Sequence, residues 1–114
     1  MRRRAAHILL PVVFAALAGC DEAQDAVDDA ARVTAKATVE KVLTVHLPEG
    51  VPAELVTPYS DCIIDSATGN ELFRLSRASV TGIDADEIAL VTDIIQRPAT
   101  TTCIAEASLA RSAS

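Results

Sequence analysis

The side chains able to do chemistry are few: three cysteines, two histidines, some serines and scattered carboxylates. A hydrolytic triad needs a nucleophile, a base and an orienting acid that converge in space. Ser60, Ser66 and Ser79 are available hydroxyls, yet none stands in a Gly-x-Ser-x-Gly nucleophile elbow. The base would have to be His46, which sits beside a proline-rich stretch, the setting of a surface imidazole. Asp61 and Asp65, four apart around Cys62, could share a proton or hold a cation. In the first turn of a helix they would instead favour the dipole and stay solvated, which is the reading adopted. Asp84-Ala85-Asp86-Glu87 begins like a calcium loop, but Ile88 occupies the next ligand position and no glycine makes the sharp turn. Capping is the better use of those acids. Arg74 and Arg77, with Glu71, form a small charged face, serving solvation or docking of an acidic partner. No catalytic, cofactor or metal site is expected, and the chain is not read as an enzyme.

The third cysteine has a different setting. Arg2, Arg3 and Arg4 form a positive start, residues 8–18 run almost wholly apolar, and Leu17-Ala18-Gly19-Cys20 closes the segment. Small residues before a cut give a signal peptidase close backbone access. A spanning helix wants roughly 20 apolar residues, so this shorter run predicts a cleaved signal over a permanent anchor. Leu17-Ala18-Gly19-Cys20 resembles the lipobox of bacterial lipoproteins, and the resemblance covers residues 1–20. It implies diacylglycerol on the Cys20 sulfur, cleavage between Gly19 and Cys20, and acylation of the new amino terminus. Two or more acyl chains hold a protein firmly to a membrane where one holds it only marginally. Asp21 follows; in enteric lipoproteins that residue implies retention at the inner membrane, facing the periplasm.

Removing residues 1–19 leaves 95 residues (114 minus 19), and losing three arginines moves the net charge from −6 to −9. Nucleic acid and anionic headgroups would both be repelled, and no Lys/Arg cluster remains to bind either. The membrane partner is therefore reached through the lipid on Cys20, and nucleic acid is excluded. Aromatic residues make up 3% of the chain, so the core must come from Ala, Val, Ile and Leu, and a domain of this size is marginal. Once Cys20 is lipidated, Cys62 and Cys103 are the remaining thiols, an even pair that reads as a disulfide in an oxidising compartment. A loop of about 42 residues gains about 4 kcal/mol from closure on entropy grounds. A metal site would need more ligands than two thiols and His46, and a redox pair would favour Cys-x-x-Cys, which is missing.

An all-α fold should position these groups. In residues 20–46, Asp25, Asp28, Asp29, Arg32, Lys36 and Glu40 recur at helical steps, with Val27, Ala31, Ala35, Val42 and Val45 on the other face. Asp28 precedes Arg32 by four, a favourable helical ion pair. Residues 39–46 are β-branched enough to be helix or extended. Residues 47–57 carry Pro48, Gly50 and Pro52 and predict a loop, with one helical turn at most over 53–56. A small domain over 58–111 follows, with a tail at 112–114. Its first helix, 58–67, starts on Thr57 as cap and Pro58 as first residue. Thr68-Gly69-Asn70-Glu71 has capping-box spacing and starts a second helix that Gly82 stops. Asp84 with Glu87 caps a third, ending at Arg97 before Pro98. That helix is apolar round much of its circumference, through Ile88, Leu90, Val91, Ile94 and Ile95, so it should be central. A last helix over 100–110 returns Cys103 to Cys62.

Ser60-Asp61-Cys62-Ile63-Ile64-Asp65 and the run from Asp93 through Pro98 to Ile104 resemble a group of small exported alphaproteobacterial proteins, some labelled succinate dehydrogenase. The similarity spans the C-terminal half. The chain has no dinucleotide glycine fingerprint and too few cysteines for an iron–sulfur cluster, so the resemblance implies an accessory protein of an inner-membrane respiratory complex at most. The expected role is a membrane-anchored, non-enzymatic interaction module with an unidentified protein partner; the alternative is that accessory subunit.

Overall fold

The structure, a computed structural model, describes residues 27–47 and 49–113. Residues 27–30 are helical and exposed, and a compact unit runs Ala31–Ser114. Among the described residues all regular structure is helical, as the sequence predicts. Helix α1 occupies 31–41 and widens into a π-helical turn, Val42–His46. Four helices follow: α2 Ala53–Ser66, α3 Gly69–Thr81, α4 Ala85–Ile95 and α5 Pro98–Ser112.

The segment at 39–46 resolves as helix. Ala35, Thr38, Val39, Val42 and Leu43 turn inward, while Val45 is 65% exposed, against its expected place on the apolar face. The π turn explains the change. Leu47 N–H donates to the Val42 carbonyl at 3.2 Å, a bond five residues back that inserts one extra position into the helical phase. Arg32 differs too: it pairs with Asp65 of α2, where Asp28 was expected. The compact unit therefore starts well before residue 58, because α1 supplies Ala35 and Val39, and the π turn Val42 and Leu43, to the same core as Ile63, Leu75, Leu90 and Ile94.

The loop predicted over 47–57 is shorter than expected. Helix α2 begins at Ala53, with Pro58 inside it and Thr57 in a helical turn, where Thr57 and Pro58 were expected to start the helix. An interior proline donates no hydrogen bond, so the Glu54 carbonyl receives none from position 58. Packing outweighs that local cost: Val56 is buried and Leu55 half-buried, and the Leu55 N–H donates to the Pro52 carbonyl at 2.8 Å. Burying one such aliphatic side chain is worth about 1.5–3 kcal/mol.

Both capping signals act as read. Glu71 N–H donates to Thr68 Oγ1 and Thr68 N–H donates to Glu71 Oε1 at 2.8 Å. Asp84 accepts from Asp86 N–H at 3.0 Å, while its own N–H donates to Glu87. Gly82 ends α3 at φ 101°, a backbone angle that side-chain-bearing residues rarely adopt. Helix α4 ends at Ile95, two residues short of the expected Arg97, because Pro98 starts α5 at its first position. Ser112 closes α5 where a frayed tail was expected. Helix α4 packs against α2, α3, α5 and the π turn, which makes it central, with Leu90, Val91 and Ile94 buried.

Candidate functional site

The residues with the strongest sequence signal, Gly19, Cys20 and Asp21, lie outside the described residues. Cys62 and Cys103 are joined as a disulfide, with Cα atoms 5.7 Å apart. The bond is one of three fastenings along an antiparallel seam. Tyr59 OH lies 2.6 Å from Ser108 Oγ, and Arg111 donates to Glu54 at 2.6 Å. Ser108 Oγ already donates its one proton to the Ile104 carbonyl, so the Tyr59 hydroxyl is the donor between them. Thr100 is the one fully buried residue of α5, whose Cys103, Ile104, Ala107 and Ser108 are half-buried.

Asp61 falls in the middle of α2 and Asp65 in its last turn, where a first turn was expected; both are solvent-exposed, as expected. Lys36 pairs with Asp61 at 2.6 Å and Arg32 pairs with Asp65. Steps of four on both helices make a second antiparallel ladder, and the Asp61 contact raises the Lys36 pKa. The two acids are therefore held by cations of α1 rather than by one another. His46 closes the π turn half-buried, in a different element from Ser60, Ser66 and Ser79. Of those three, Ser60 Oγ is buried and donates to the Val56 carbonyl at 2.7 Å, which commits its proton to the helix.

Sequence reasoning missed Arg97. Its guanidinium donates to both oxygens of Glu71, at 2.9 and 2.6 Å, to Asp93 at 3.0 Å and to the Ser66 carbonyl at 3.0 Å. One side chain thus ties the end of α2, the start of α3 and the end of α4. The four-residue step from Asp93 to Arg97 was a local signal; the Glu71 partner, distant in sequence, was not. Glu71, whose side chain is 15% exposed, is lowered from 4.5 to about 2, chiefly by Arg97 and further by the Thr68 N–H, against desolvation. Because its folded pKa is depressed, the pair contributes fully above pH 4.5 and is lost as pH falls from there toward 2. Glu71→Gln should therefore melt a few degrees below wild type at pH 7, the gap closing toward pH 2; a pH series of thermal melts checks this.

Thr100 Oγ1 is buried and, among the described residues, has no hydrogen-bond partner. Leaving a hydroxyl in that state costs about 1–3 kcal/mol, so Thr100→Val should raise the melting temperature by several degrees. A fall would mean the hydroxyl is bonded in solution.

Two open clefts flank α3. One, of about 270 Å³, is lined by Ala37, Thr38 and Lys41 of α1 and by residues from Ala78 to Ile83. The other, of about 220 Å³, is lined by Arg74, Arg77, Thr81 and Glu87. Among the described residues no three His, Cys, Asp or Glu side chains gather closely enough to hold a metal ion. No known protein family, characterised protein or solved structure matches the chain. The arrangement offers ion pairing and apolar contact at α3.

Proposed function

We propose that this chain is a bacterial lipoprotein, anchored through a lipid on Cys20, whose compact helical unit is a non-enzymatic interaction module in the periplasm. The observation that carries the reading is Leu17-Ala18-Gly19-Cys20 at the end of an apolar run that follows three arginines. Two further features support it. The disulfide between Cys62 and Cys103 suits an oxidising compartment. No helix among the described residues is long and apolar enough to cross a membrane, so a lipid is a sufficient means of attachment for them. Asp21 favours the inner membrane. Wild type should incorporate labelled fatty acid and Cys20→Ser should not, and a density gradient of the wild type should place it with inner-membrane markers. Absence of label from the wild type, or equal label in Cys20→Ser, would remove the lipid on Cys20 from the account.

A further inference from the structure

The compact unit has seven cations, and four of them, Arg32, Lys36, Arg97 and Arg111, sit in ion pairs. Lys41, Arg74 and Arg77 have no such partner among the described residues. The unit has more acids than bases, yet neither arginine of α3 is held in an ion pair among the described residues; Asp84 attracts Arg74 without a salt bridge. Glu87 lines the same cleft as both arginines without pairing with either, and one of its oxygens accepts from the Asp84 N–H in the capping box. The arginines are three apart on one helix, where like charges oppose folding slightly. Phe73 and Val80 extend the same outward face and are 60% and 88% exposed. An exposed aromatic beside two arginines without salt bridges matches the composition of binding hot spots.

We propose that the outer face of α3 binds a carboxylate-bearing segment of a protein partner. Arg74 and Arg77 take its carboxylates through two-point guanidinium forks, and Phe73 and Val80 pack on its apolar side chains. The inference rests on the reading of this unit as an interaction module and names the chemistry of its partner. Anionic lipid is the weaker occupant, because headgroup recognition takes about 4–8 clustered cations and the acid surplus here opposes it.

A benzophenone amino acid placed at position 73 or 80 of the full-length chain, in the cells that express it, tests the face; position 109, 70% exposed on α5, is the control. Irradiation should give an adduct from 73 and 80, and not from 109, whose mass-mapped partner peptide carries Asp or Glu. The double variant R74E/R77E, with an unchanged helical circular dichroism spectrum, should lower that adduct at least about tenfold, and R74Q/R77Q less. Adducts that persist in R74E/R77E, arise from 109 alone or contain only lipid overturn the acidic-segment proposal. Of these, a protein adduct from 109 leaves the interaction-module reading standing. Absence of any adduct from all three positions removes both.

Discussion

Reduction of the Cys62–Cys103 bridge, or Cys103→Ser, should lower the melting temperature by well over ten degrees. Entropy of loop closure for this separation is worth about 4 kcal/mol, and each kcal/mol moves the transition of a domain this small by about 4–8 °C. The structure adds a second reason for a large effect. Helix α5 fully buries only Thr100; against α2 it packs half-buried Ile104, Ala107 and Ser108 around the disulfide, with Tyr59–Ser108 and an exposed Glu54–Arg111 pair beside them. Exposed pairs contribute about 0.2–1 kcal/mol, too little to hold a helix alone. Amide exchange should therefore accelerate first in residues 98–112 on reduction, before α4 loses protection. The comparison uses a soluble chain beginning at Asp21, so that lipid and detergent do not blur the transition. Free-thiol titration of the unreduced protein should find no reactive thiol; two per chain would reopen the metal and redox readings of the pair.

Ile94→Ala should be the most damaging single truncation that leaves the covalent frame intact. Ile94 is fully buried on the central helix, in one cluster with Val39, Ile63, Leu75 and Val91. Deleting its branched chain loses transfer energy and opens a cavity, at about 2–5 kcal/mol. A domain of this size holds only several kcal/mol in total, so the variant should be partly unfolded at ambient temperature. Urea titration measures the loss directly. Val80→Ala, removing an exposed side chain, should stay within about 0.5 kcal/mol of wild type. Equal effects at the two sites would mean that α4 is not the centre of the core.

What the sequence made legible was local. The capping boxes at Thr68 and Asp84, the stop at Gly82 and the all-round apolar pattern of α4 each depend on neighbours within a few residues, and each appears in the structure. The Cys62–Cys103 bridge followed from there being no other thiol to compete once Cys20 was assigned elsewhere. Misreadings arose where long-range packing overrode local preference. Pro58 looked like a helix start, yet burial of Val56 extends α2 back to Ala53. Val45 fitted the apolar face until the π turn shifted the phase. Asp61 and Asp65 are solvated as read, but their ion-pair partners, Lys36 and Arg32, lie a helix away and were not visible locally. For the α3 face the sequence showed Arg74, Arg77 and Glu71 together. Only the structure separates them, by giving Glu71 to Arg97 and leaving the two arginines unpaired.

Intact-mass analysis of the protein extracted from membranes tests the central claim most directly. The account predicts a chain that begins at Cys20, has lost residues 1–19, and carries the added mass of a diacylglyceryl group on sulfur together with an acyl chain on the amino terminus. A mature chain with an unmodified Cys20, or one that retains residues 1–19, would contradict it.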